Sequence, residues 1–334
     1  MLNVFYLSLS QLRIELHRPR QVVMRPRVVL RAIKFREEKV LSFSPPPQEA
    51  DRLRQSLGLH EERPVWVLFT SSEDELVGSD AFKRAFATQL EWIQHLIAYI
   101  EKYPEIDLVI RVHPNTGGKK TIARNETQLE EFRRLAQRLP ANVRMVMPDD
   151  VISTYSLMDI ATLGLVYMST TGLEMACKGK KVIAITGSFA DKSFTLTPHS
   201  FEEFESLLDS ARTFPLAYTS EETQRLAYRY SYMLFYRWNI PFPLVEMVDT
   251  YTPRLRYQSK EELAPGKEPN LDRVCRIILE GEPIVLPPTE EDLRDRSEEQ
   301  EKAWFGERGE ERGERGEGGG EETMPSQHSS PPVL

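Results

Sequence analysis

The chain has 334 residues, 40% of them apolar, enough to fill the core of one large or two modest domains. Its formal net charge of -8 argues against a general nucleic-acid binder, which would carry a concentrated basic face. The two cysteines, Cys177 and Cys275, are far apart and lack CxxC or Cys/His spacing, so neither a disulfide framework nor a zinc site is expected and a reducing cytoplasm fits.

Met1 to Leu12 has some apolar character but no basic stretch ahead of it, and Arg13, Glu15 and His17 follow at once, so no signal peptide is expected. No uncharged apolar run approaches the ~20 residues of a spanning helix. Residues 1–62 are arginine-rich and broken by Pro45-Pro46-Pro47; they read as an irregular lead-in, a remnant of an N-terminal domain. A regular pattern starts at Pro64, where Val65 to Thr70 is a buried-strand run followed by the polar loop Ser71 to Glu75. Phe82, Phe86, Leu90, Ile93, Leu96, Ile97 and Ile100 recur at helical spacing and predict a long amphipathic helix ending before Pro104.

Ile106 to Val112 is the next strand, stopped by His113-Pro114-Asn115 and the Thr116-Gly117-Gly118 loop. Leu129, Phe132, Leu135 and Leu139 mark a helix, and Val143 to Val146 a strand. Leu163 to Met168, Gly172 to Lys178 and Lys181 to Ile185 repeat the order strand, helix, strand. Such alternation predicts an α/β fold, a doubly wound Rossmann-like parallel sheet followed by helices, over residues 63–285. After Phe201 the pattern is helical, and the stripe Tyr228, Tyr232, Phe235 and Tyr236 is expected to face a core and not a stacked base. Residues 294–334 collapse into Glu, Arg and Gly repeats, then Ser and Pro, and are expected to be disordered.

In a parallel sheet the ligand lies at the carboxyl ends of the strands, where three polar loops converge. They are Ser71 to Glu75, His113-Pro114-Asn115 just past Arg111, and Ser169-Thr170-Thr171-Gly172. The last precedes a helix, whose free N–H groups favour phosphate, and Gly172 would let a ligand approach the backbone. The same residues also fit an ordinary cap, with Glu174 completing a capping box from Thr171. Pro114 biases His113 to an extended backbone, from which its ring would reach a phosphate and add charge if protonated.

Four segments occur in order at strand ends: Phe69-Thr70-Ser71-Ser72-Glu73-Asp74-Glu75, Ile110-Arg111-Val112-His113-Pro114-Asn115, Pro148-Asp149-Asp150 through Ser153-Thr154-Tyr155, and Tyr167-Met168-Ser169-Thr170-Thr171-Gly172-Leu173-Glu174. With Tyr236-Arg237-Trp238-Asn239-Ile240-Pro241-Phe242-Pro243 they make roughly residues 60 to 250 resemble the capsule polysaccharide biosynthesis family, which is similar to GT-B glycosyltransferases. The resemblance implies the C-terminal half of a GT-B fold. There His113, Ser169, Thr170, Thr171 and Gly172 would bind the phosphate of a nucleotide-sugar donor, and Glu174 would hydrogen-bond its ribose or base. Arg111, Ser71 and Ser72 would support that site. The acceptor would be a glycan or glycolipid, with the protein cytoplasmic or peripheral to the inner face of the membrane beside a polysaccharide assembly complex. Fixed donors would stabilise the leaving group, and no cofactor or metal is expected; Pro148-Asp149-Asp150 lacks the DxD spacing.

The chain departs from the family in two places: the region before Pro64 is too short for an acceptor domain, and Lys181 stands where the pattern has proline. Glu73, Asp74 and Glu75 are the other acid/base candidates for catalysis, although a solvated acidic loop is the plainer description. Two alternatives stay open. One is a sugar-nucleotide epimerase; the other is a non-catalytic, truncated nucleotide-binding subunit for polysaccharide assembly and export.

Overall fold

The computed structural model describes residues 45–72, 85–118, 123–187, 189–213, 219–234, 238–240, 242–248 and 252–285. Phe82, Phe235, Tyr236, the acidic run Glu73 to Glu75, residues 1–44 and the tail 294–334 lie outside the described residues. The chain forms two compact units, the described residues 45–228 belonging to the first and those from 229 to 285 to the second.

Within the stretch expected to be irregular, the first unit forms helix α1 (Ala50–Leu57). Leu53 turns inward at 1% exposure, and Gly58, left-handed at φ 62°, closes the helix by donating to the carbonyls of Arg54 and Gln55. The remaining carbonyls of its last turn find a distant partner: the Arg144 guanidinium donates to Leu57 O at 2.9 Å and Gly58 O at 3.3 Å. A helix held by a residue almost ninety positions away carries little local signal.

The sheet follows the predicted alternation. Strands β1 (Val65–Phe69), β2 (Asp107–Arg111), β3 (Val143–Val146), β4 (Leu163–Val166) and β5 (Lys181–Ala184) are all parallel, in the order β3-β2-β1-β4-β5. Val67 of β1 lies between Val109 of β2 and Gly164 of β4, which sets the central register. The connecting helices are α2 (Gln89–Glu101), α3 (Glu126–Ala136), α4 (Thr154–Ile160) and α5 (Thr171–Cys177), with α6 (Phe201–Thr213) and α7 (Glu221–Tyr232) after β5.

One sheet face, carrying Trp66, Leu68, Leu108, Ile110, Leu165 and Ile183, packs on Trp92, Ile93 and Leu96 of α2, Phe132 of α3, and Phe204 and Leu208 of α6. Each fully buried side chain of this size contributes about 1.5–3 kcal/mol. The other face takes α5 so closely that an added Cβ on Gly164 would stand 2.5 Å from the Met175 sulfur. Helices on both faces of a parallel sheet make the fold doubly wound, as the alternation predicts.

Helix α2 starts on Thr88, whose hydroxyl accepts from Glu91 N while the Glu91 carboxylate accepts from Ala87 N. Beyond its end, the Asn142 amide donates to the carbonyls of Ile100, Tyr103 and Ile106. In the aromatic stripe, Tyr228 and Tyr232 are 2% and 6% exposed, as a packing role requires.

In the second unit, β6 (Val245–Met247) and β7 (Pro253–Leu255) form an antiparallel pair. Hydrogen bonds from Arg254 and then Arg256 hold the exposed Glu246 carboxyl below its ordinary range. Helix α8 (Pro269–Glu280) follows, its N-terminus capped by Glu268, which accepts from Leu271 N. Among the described residues no helix is long and apolar enough to cross a membrane.

Candidate functional site

Strand order reverses between β1 and β4, and it is outside the carboxyl ends at such a point that open α/β sheets bind ligands. The loops leaving β1, β2 and β4 meet there through two adjacent residues. Thr70 Oγ1 accepts from His113 N at 2.8 Å, tying the β2 loop to β1. Ser71 Oγ accepts from Met168 N at 3.2 Å, tying in the β4 loop one residue before Ser169. Thr70 and Ser71 are themselves 1% and 2% exposed, so their hydroxyls act inside the protein. Ser72 is buried beside them at 5%.

His113 is half-buried with φ -58° and ψ 128°, the extended geometry that Pro114 favours. Pro114 opens a short 3-10 turn, Pro114–Gly117. Asn115 N donates to His113 Nδ1 at 3.2 Å, so Nδ1 is an acceptor and the neutral ring carries its proton on Nε2. In that tautomer His113 is an oriented donor through Nε2.

In the third loop the Ser169 hydroxyl accepts from Thr171 N at 3.4 Å and from Thr171 Oγ1 at 2.9 Å. Thr170 occupies the N-cap with helical dihedrals, φ -59° and ψ -16°, and makes no side-chain cap bond. It is the exposed hydroxyl of the three. The expected capping box between Thr171 and Glu174 does not form, because Thr171 already lies inside α5. Glu174 N donates to Thr170 O at 3.1 Å, and its side chain is enclosed at 2% exposure.

Gly172 is buried at the start of α5. A Cβ there would meet Val166 Cγ2 at 2.7 Å, Phe189 at 3.2 Å and Val182 at 3.3 Å. The missing side chain thus lets α5 close on β4, β5 and the following loop. Its N–H donates to Ser169 O at 3.0 Å.

Arg111 is fully buried, at 1% exposure. Its Nη1 donates to Met147 O at 2.6 Å, while Nε and Nη2 have no hydrogen-bond partner among the described residues. Burial pushes the guanidinium down to about 10, against the pull of the Asp150 carboxylate. Asp150 in turn accepts from Met147 N at 2.6 Å, closing the Pro148–Asp150 turn. Arg124 straps this turn to the β2 loop, donating to Gly117 O at 3.3 Å and Asp149 at 3.4 Å. Arg111 therefore supports the loop after β3 from below, and Asp149 and Asp150 are committed to that turn.

The acid/base candidates Glu73, Asp74 and Glu75 lie outside the described residues. Among the described residues no group of three His, Cys, Asp or Glu side chains is placed to hold a metal. Gln89 and Gln128, whose amides both bond the Ser71 backbone, carry no sequence signal; a glutamine in the first turn of a helix says nothing about the loop it reaches.

No protein-family model matches the sequence, and no curated protein does. Solved structures do. A Thermosulfurimonas dismutans KpsC, described as a beta Kdo 2,4 transferase, matches with 16% identity and a TM-score of 0.37 over 61% of this chain and 54% of its own. Sucrose-phosphate synthase from Thermosynechococcus elongatus matches with 18% identity and a TM-score of 0.36, over 60% and 47%. UDP-GlcNAc 2-epimerase from Neisseria meningitidis, bound to UDP-GlcNAc, matches with 14% identity and a TM-score of 0.33, over 60% and 46%. The chain spans about half the length of each, and at these values the likeness carries no argument about activity.

Proposed function

We propose that this chain binds a nucleotide-activated sugar at the carboxyl edge of its sheet and serves glycosyl transfer in surface polysaccharide assembly. The observation that supports the reading is the pairing of Thr70 with His113 and of Ser71 with Met168, which brings two donor-bearing loops to the point where strand order reverses. The His113 ring, by its Nε2–H, and the Thr170 hydroxyl are donors suited to a phosphate. The Ser169–Thr171 pair shapes the turn that carries Thr170. Glu174, enclosed in α5, is assigned to the ribose or base.

Chemically, such donors stabilise the charge that develops on the departing nucleotide phosphate, and being fixed before the reaction they need no reorganisation. The acceptor would be a glycan or glycolipid, and Glu73, Asp74 and Glu75 stay the candidates for the catalytic base.

The test is calorimetric titration with CMP, UDP and GDP and their sugar conjugates. His113→Ala and Thr170→Val are each expected to fold normally and to weaken binding by about 1.5–3 kcal/mol, the value of a hydrogen bond to a charged group. Equal affinity in both variants and the unmodified protein sinks the site. Conversion of a sugar nucleotide to its isomer without any acceptor would replace transfer with epimerisation.

A further inference from the structure

We infer that Gln89 and Gln128 are positioning residues: together they lock the backbone of Ser71, through its N–H and its carbonyl, and thereby fix where the His113 and Ser169 loops stand relative to each other. The Ser71 N–H donates to Gln89 Oε1 at 2.6 Å, and the Ser71 carbonyl accepts from Gln89 Nε2 at 3.1 Å and Gln128 Nε2 at 3.2 Å. Ser71, Gln89 and Gln128 are 2%, 2% and 1% exposed. Polar groups so enclosed are tolerated because each finds its partner, and breaking one bond strands the other member.

The two glutamines come from the first turns of α2 and α3, the helices that begin at the carboxyl edge. Neither caps its own helix: Thr88 and Asn125 do that. Gln128 also reaches the other way, its Oε1 accepting from Thr116 Oγ1 at 3.4 Å and Asn125 Nδ2 at 3.5 Å. Thr116 lies in the turn that follows His113. The β2 loop is thus held at both ends, by Thr70 at His113 N and by Gln128 at Thr116.

Rotation of the Ser71 backbone would swing the Ser71 hydroxyl off Met168 N, the residue that leads into the Ser169 turn. Locking the peptide groups on either side of Ser71 therefore sets both candidate binding elements at once. It also withdraws the Ser71 amide from any ligand, so the β1 loop does not act as a phosphate cradle through that group, and this task falls to the loops of β2 and β4.

The consequence for binding rests on the donor-site reading, whereas the lock itself does not, and the two are separable by experiment. Gln128→Met keeps side-chain length and removes both polar atoms; Gln89→Met is the second variant should the first fail to fold. Amide hydrogen exchange is read residue by residue, and CMP, UDP and GDP affinities are read in the same proteins. Exchange at Met168 and His113 is expected to quicken by at least about tenfold, and affinity to fall by about tenfold, equivalent to one ordinary hydrogen bond. In a background carrying both His113→Ala and Thr170→Val the same substitution should weaken binding by no more than about twofold, because the donors being positioned on both loops are already gone.

Unchanged exchange at both amides overturns the lock, whatever the nucleotides do. Quickened exchange with affinity lost equally in both backgrounds overturns the positioning role and leaves simple destabilisation. Should the unmodified protein bind none of the three nucleotides, the donor-site reading falls and the exchange rates alone decide the lock.

Discussion

At the scale of single residues, the site is organised by groups that turn inward. Arg111 is the sharpest case, a buried cation with one carbonyl partner and two nitrogens that have none among the described residues. The Met147 carbonyl it bonds also accepts from Asp150 N at 3.1 Å, so losing the guanidinium would not strand it. Arg111→Met is accordingly expected to leave stability unchanged or raise it by about 1 kcal/mol, since a buried charge replaced by an apolar side chain of similar size is commonly neutral or stabilising. Urea denaturation measures this; a loss of more than about 2 kcal/mol would mean that the guanidinium contributes a net stabilising interaction. The identities Arg111, His113 and Ser169 to Thr171 were legible because they interrupt apolar strands with polar residues at strand ends. The His113 tautomer was not, because it depends on where the Asn115 amide points.

At the scale of elements, periodicity carried most of the fold and failed where an element is short or held from afar. The five strands stand out as apolar runs, and α2, α3 and α6 as amphipathic repeats. Helix α4, with 7 residues, is too short for a period to declare itself, and α1 depends on Arg144 of β3. At the α5–sheet contact, Gly172 stands out in sequence as a residue that admits ligand, and its missing Cβ also makes room for Val166, Phe189 and Val182. Gly172→Ala should therefore act on stability, lowering it by about 1–3 kcal/mol through overpacking. Thermal unfolding reads that loss; a variant as stable as the original would contradict it.

At the scale of the molecule, alternation predicted helices on both faces of a parallel sheet, and the strand order β3-β2-β1-β4-β5 provides the reversal outside which open α/β sheets bind ligands. Strand order itself is not legible from one sequence, since every strand reads as the same apolar run. Nor is the division after Tyr228, which falls inside the continuous helix α7. The net charge of -8 leaves any anion-binding role to local donors and not to an overall attractive field.

The most direct test of the central claim is titration of the isotope-labelled chain with CMP, UDP and GDP, followed by the shifts of its backbone amide resonances. Binding at the proposed edge predicts saturable shifts at Thr70, His113, Ser169, Thr170 and Thr171, with the opposite edge, around Asn142 and Lys180, unmoved. Shifts confined to that opposite edge or to residues beyond Tyr228, or no saturable shift with any of the three nucleotides, would contradict it.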